Sequence, residues 1–272
     1  MKKKTKKGLT LVLLAVFLVS TILLIGKWFD KQSGSDAYAD ALAIASGNSD
    51  APPVQKDVSA EAILSGANWI PAPIAEEDPQ IAELSKIDLD ALREVNPHVI
   101  GWIRIPDTKI DYPLLQGEDN DYYLNHTWKG KKNSVGSIYL EHQNKADLTD
   151  YNTIIYGHNM ADGSMFAALR DYSVKTFWKD HPHVYILTDA GVYRYDIFAA
   201  YKADIESNTY GMNFQQDRTK ANLLNMALEK TKFDAGVIPA TTDRILTLST
   251  CYGSSNQLRW VVQARLQMVE VQ

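Results

Sequence analysis

From about residue 99 onward the chain breaks into short runs of β-branched, aromatic and apolar residues, each closed by turn residues. This punctuation limits its possible folds more than any other feature. Residues 100–105 (IGWIRI) stop at Pro106-Asp107, and 110–115 (IDYPLL) stop at Gln116-Gly117. Segments 137–140, 153–156, 184–187 and 192–202 follow in the same style, and 245–250 with 259–266 complete a set of eight. Many short strands at this spacing predict a sandwich or a barrel, mainly β with added helices. Helical patterns interrupt the strands at 165–169, at 174–179 and, most clearly, at 216–231. In the last of these Ala221, Leu224, Ala227 and Leu228 share one face, a stripe suited to core packing.

The seventh run ends on the chain's one cysteine, Cys251. The strand ILTLST gives way there to Tyr252-Gly253-Ser254-Ser255-Asn256, so the thiol belongs at a strand mouth. Arg259 opens the next strand at the same end of the sheet, which places a nucleophile beside a fixed positive charge. A free cysteine often behaves as a small buried hydrophobe. One cysteine also cannot form an intrachain disulfide, which leaves nucleophilic chemistry or an intermolecular disulfide as reasons to keep it outside a membrane. Among six histidines His158 is the candidate partner. It follows the strand at 152–156 in NTIIYGHNM, with Gly157 allowing the backbone to turn, and so repeats the placement of Cys251. His98 falls in a turn after Asn96-Pro97, His126 and His142 lie near strand or turn ends, and His181 and His183 flank Pro182 without a further ligand cluster. No metal and no cofactor are implied.

The front of the chain differs from the rest. Lys2, Lys3, Lys4, Lys6 and Lys7 precede an uncharged, mostly apolar run from 8 to 26 that is about one bilayer long as a helix. A cleaved signal peptide would share this layout. The length of the run and the lack of a small-x-small site after Ile25 favour an uncleaved signal-anchor over residues 1–29, with the lysines inside and the rest of the chain outside. Residues 30–57, rich in Ser, Gly, Asp, Ala and Asn, read as a flexible tether, with 37–45 transiently helical at most. Residues 58–97 read as short helices at 59–64 and 88–95 lying against the main domain, the second capped by Asp88 and stopped by Asn96-Pro97. The main domain then spans 98–272. The first 30 residues hold six of the 28 basic residues and one of the 33 acidic ones, so the remainder carries −10, which argues against a nucleic-acid partner.

The segment TLSTC, with an arginine opening the next strand, resembles the signature of the sortases. The blocks IGWIRIPDTKIDYPLLQG, DNDYYLNHTWKG, GSIYLEH, NTIIYGHNMADGSMFAAL and TLSTCYG with RWVVQARL resemble, in order, those of a class B sortase, covering about residues 95–269. The resemblance implies a closed eight-stranded barrel with N-terminal helices and a long helix before the cysteine-bearing strand. It also implies a membrane-anchored transpeptidase of Gram-positive envelopes that acts on secreted proteins with a C-terminal sorting motif, of NPxTN-like or xPxTG-like type. Cleavage after threonine would leave a thioester on Cys251, passed on to a peptidoglycan amine, and His158, Cys251 and Arg259 would be the catalytic residues. Asn120, Leu124, Tyr156 and Ser249 match the family's substrate groove. Tyr252 departs from relatives that carry a small polar or acidic residue after the cysteine, which bears on substrate preference. A pilin lysine as acceptor, a non-catalytic peptide-binding module of the envelope and a hydrolytic cysteine protease are the alternatives.

Overall fold

The computed structural model describes residues 2–47, 78–251 and 257–270. Its eight strands are β1 (Val99–Arg104), β2 (Asp111–Leu115), β3 (Ile138–Leu140), β4 (Asn152–Tyr156), β5 (His183–Thr188), β6 (Gly191–Asp204), β7 (Ile245–Cys251) and β8 (Leu258–Glu270). They close into a barrel in the order β1-β2-β3-β4-β7-β8-β6-β5, as the strand count and the resemblance predict. The β2/β3 and β4/β7 pairs are parallel and the others antiparallel, and closure leaves no sheet edge to pair with another chain.

Two registers place the chemistry. Tyr156 at the end of β4 lies opposite Ser249, and Cys251 at the end of β7 lies opposite Arg259. Ile103, Tyr193, Tyr195 and Leu248 share one buried face of the sheet, and Trp102, on the opposite face of β1, is buried as well. A second apolar cluster, including Phe198, Tyr201, Ile245 and Val261, is covered by the helix α5 (Asp217–Lys230) that precedes the cysteine strand. Leu223, Leu224 and Ala227 are its buried residues, whereas Ala221 and Leu228 of the expected stripe are only half-buried, because the buried face is rotated slightly towards Leu223.

Buried polar side chains tie the strands beneath the site. Thr247 donates its hydroxyl to Asn152 Oδ1 (2.7 Å) and accepts from Gln263 Nε2 (2.9 Å), while Tyr201 donates to Gln263 Oε1 (3.0 Å). Thr247→Val keeps the shape but strands two buried partners. It should cost about 2 kcal/mol, read as a thermal midpoint lower by roughly 4–8 °C. An unchanged midpoint would mean that Asn152 and Gln263 find other partners.

The front of the chain departs from the tether reading. A single helix, α1 (Lys2–Ser46), runs through the basic tip, the apolar stretch and residues 30–46. The apolar stretch stands clear of the barrel, with Phe17 67% and Leu24 68% exposed. Residues 30–46 instead dock on the barrel through Tyr38, Ala41 and Ala45. These positions recur at helical spacing, and the small side chains of Ala41 and Ala45, which composition alone reads as linker, permit a close approach. At Gly34 a Cβ would strike Val135. Trp128 Nε1 donates to Ala37 O (2.5 Å), Asn133 Nδ2 to Asp30 O (2.6 Å), and Lys129 pairs with Asp40 (2.7 Å). Beyond α1, α2 (Pro79–Leu84) and α3 (Leu89–Val95) bury Ile81, Leu84, Leu89 and Leu92. Asp78 and Asp88 cap their N-termini, the latter as expected. A further short helix, α4 (Lys175–Asp180), precedes β5, next to a 3-10 turn at Ala167–Ser173. The helix expected at 59–64 and the loop position Tyr252 lie outside the described residues.

Candidate active site

A cavity of about 280 Å³ opens where β4 and β7 end and β8 begins, and Cys251, His158 and Arg259 all line it. Asn120, Leu124, Tyr156 and Ser249 line the same cavity, so all seven residues singled out in the sequence meet there. Cys251 and Arg259 are neighbours across the β7/β8 ladder, and both are half-buried. His158 stands two residues beyond β4, which runs parallel to β7, so both strands deliver their chemistry at one end of the barrel.

The histidine is held on both sides. Its Nε2 lies 2.6 Å from the Leu124 carbonyl. A carbonyl can only accept, so Nε2 carries a proton and Nδ1 is left for the thiol. The hydrogen bond with Cys251 raises the His158 pKa above its ordinary value, opposed by burial and supported by the Leu124 bond. The Cys251 pKa is lowered, first by the hydrogen bond to His158, against burial, with Arg259 helping. The two shifts point the same way, towards thiolate and imidazolium facing each other.

The sign yields a test. A lowered thiol pKa keeps the reactive form present at pH values where an ordinary cysteine is protonated, so alkylation of Cys251 should persist below the usual thiol range. His158→Ala removes the largest cause of the shift and should move the midpoint of the alkylation profile upward. A superimposable profile would sever the pairing.

Several groups at or behind the cavity escaped the sequence reading. Asn159 donates its Nδ2 to the Cys251 carbonyl (3.1 Å), stitching the loop after β4 to the end of β7. Glu141 is buried behind the cavity and accepts from Asn120 Nδ2 (2.7 Å) and Tyr156 Oη (2.9 Å), which fixes the direction of two of the proposed groove residues. Burial, with Glu141 beside it, holds the Tyr156 phenol protonated. Tyr210 shares a hydrogen bond with Ser249 Oγ (2.8 Å), and burial pushes its phenol up to about 12. A glutamate at a strand end ordinarily reads as solvated, and Tyr210 comes from a long connection without pattern. Only Asn159, next to His158 in its block, carried a usable signal.

Gly157 is needed for a different reason from the turn expected of it. A Cβ there would enter Ile138 and the ring of Phe166, so space, not a left-handed backbone, demands glycine. Arg265 sits opposite Ile245 at the far end of β7, beside Asp243 (3.8 Å), well away from the thiol. His142 pairs with Glu141, His183 with Asp196, and His98 with Tyr123. His126 stacks on Tyr122 and His181 on Phe177. Among the described residues no group of three or more His, Cys, Asp or Glu is placed to hold a metal. A larger groove of about 1290 Å³, lined in part by Asn159, contains none of Cys251, His158 and Arg259, so chemistry, not size, selects the smaller cavity.

Known proteins resemble this chain in sequence and in fold. The sortase domain model matches residues 103–267. Sortase B of Listeria monocytogenes is 39% identical over 181 residues, which is 66% of this chain and 74% of that protein. The structure of sortase B from Bacillus anthracis in complex with AAEK1 superposes with a TM-score of 0.68 at 28% identity, covering 88% of this chain and 98% of that one. The Staphylococcus aureus sortase B–substrate complex superposes with a TM-score of 0.63 at 31% identity, covering 67% of this chain and 85% of that one.

Proposed function

The chain belongs to the sortase family, in its class B branch, and from that premise we propose that it is a cysteine transpeptidase that joins secreted proteins to the cell wall. The observation that carries this reading is the meeting of Cys251, His158 and Arg259 around one cavity, with the thiol pKa lowered by the histidine.

The reaction runs in two halves. The Cys251 thiolate attacks the carbonyl carbon of a threonine in a C-terminal sorting motif, and the carbonyl oxygen becomes an oxyanion. The Arg259 guanidinium meets that oxygen with a charge-assisted hydrogen bond. The C–N bond then breaks, and the His158 imidazolium gives its Nδ1 proton to the departing amine, leaving a thioester on Cys251 and a neutral imidazole. In the second half an acceptor amine attacks the thioester carbon and passes a proton to His158. The C–S bond breaks, which restores thiolate and imidazolium. No cofactor or metal enters either half.

The groove residues have separable parts in this scheme. Leu124, 40% exposed at the rim, offers an apolar contact, while Asn120, Tyr156 and Ser249 offer polar ones held in place by Glu141 and Tyr210. The acceptor is assigned to peptidoglycan, with a pilin lysine as the alternative. Among the described residues one helix is long and apolar enough to cross a membrane, which supports a single-pass anchor with its lysine-rich end inside and the barrel outside.

Incubating the protein with peptides of the Asn-Pro-x-Thr-Asn and x-Pro-x-Thr-Gly types, with and without a small amine, tests the reading. One peptide class should be cleaved after threonine and joined to the amine. Cleavage that ignores added amine would mark a hydrolase.

A further inference from the structure

The loops that hold His158 rest on the docked part of α1, and we infer that this helix is a positioning element of the active site, with Tyr38 as the residue that transmits its grip to the histidine. The inference builds on the proposed role of His158 and adds that the helix carrying the apolar stretch helps to set the histidine's place.

Three contacts carry it. In the first, Tyr38, only 8% exposed, donates its hydroxyl to the Gly136 carbonyl (2.5 Å), with Ser137 Oγ at 3.2 Å. Gly136 is wedged against the imidazole. Its φ is +63°, and a Cβ there would come 2.8 Å from His158 Cδ2 and 2.7 Å from Leu124 O, the carbonyl that accepts from His158 Nε2. One glycine thus touches the ring and the ring's hydrogen-bond partner, and Tyr38 holds that glycine.

In the second, the Tyr38 ring packs edge-on against Tyr112, with centroids 5.2 Å apart. The Tyr112 hydroxyl accepts from Met165 N (2.9 Å). Met165 has a left-handed backbone (φ +56°), strained for a side chain of its size, and bridges back to Asn159, the residue after His158. Next to it, Phe166 N donates to the His158 carbonyl (2.8 Å). In the third, Lys31 on α1 pairs with Asp162 in the same loop (3.2 Å). The helix therefore grips both segments that border the histidine, 134–137 on one side and 159–166 on the other. A helix that merely covered apolar surface would not need to hold the backbone at Gly136.

The reporter is Cys251, the chain's one thiol, whose alkylation by iodoacetamide needs no sorting peptide and no acceptor. The charged groups facing His158 are Cys251 and Arg259, with Asp121 at the cavity wall, and the variants chosen alter none of them. The full chain in detergent micelles is compared with Tyr38→Phe, Gly136→Ala and, as a control on the same helix, Ser46→Ala, whose hydroxyl, among the described residues, bonds to its own helix. Tyr38→Phe should move the midpoint of the alkylation profile upward and slow alkylation near neutrality about fivefold, with circular dichroism unchanged. Gly136→Ala should shift it further, and Ser46→Ala should superimpose on wild type. A Tyr38→Phe profile identical to wild type, even with a lowered thermal midpoint, would make Tyr38 a packing residue only and overturn the inference. A His158→Ala profile identical to wild type would overturn the underlying pairing as well, so the two failures are distinct.

Discussion

Cys251→Ala is expected to abolish both cleavage of the sorting peptide and its transfer to an amine, a loss on the order of 10⁴-fold or more. The covalent route has no substitute, because the chain contains no second thiol. The fold should not notice the change. Cys251 is half-buried at the last position of β7, and its backbone carbonyl, which accepts from Asn159, is retained in alanine. The thermal midpoint should stay within about 2 °C of wild type. Peptide turnover persisting in the variant would remove the thiol from the chemistry.

The second large effect is at Arg259. Arg259→Lys preserves the charge but replaces a planar fork, set across the ladder from Cys251, with a single ammonium on a flexible stem. Loss of one oxyanion donor should lower kcat by roughly 10²–10³-fold, about 3–4 kcal/mol in the barrier, with KM little changed. Arg265→Lys is the matched control, since that residue sits opposite Ile245 at the other end of the strand and should turn over normally. An Arg259→Lys enzyme within threefold of wild type would show that the guanidinium does not meet the oxyanion.

Much of this architecture was legible because short strands with clear stops leave few alternatives. Runs such as IGWIRI and ILTLSTC reappear as β1 and β7 within a residue or two, and the helix before the cysteine strand appears where its apolar spacing put it. The convergence around Cys251 was also readable, since two strands ending in chemistry and a third beginning with arginine need only pair at one end to make a site. What stayed hidden has a common cause. Residues 30–46 form helix because Tyr38, Ala41 and Ala45 find a surface on the barrel, and tertiary packing of this kind leaves little trace in a stretch of Gly, Ser, Asp and Ala. Glu141 is buried because Asn120 and Tyr156 donate to it, which no local pattern announces. Gly157 was noticed, but its reason, the ring of Phe166, lies nine residues away in a loop without periodicity.

The central claim is that Cys251 becomes the acyl carrier, and intact mass of the full chain during turnover measures it directly. With sorting peptide and no amine, the protein should gain the mass of the peptide up to its threonine, localised to Cys251. Adding amine should remove that mass and release the joined product. Turnover that proceeds with no adduct on Cys251, or an adduct that amine does not discharge, would contradict the account.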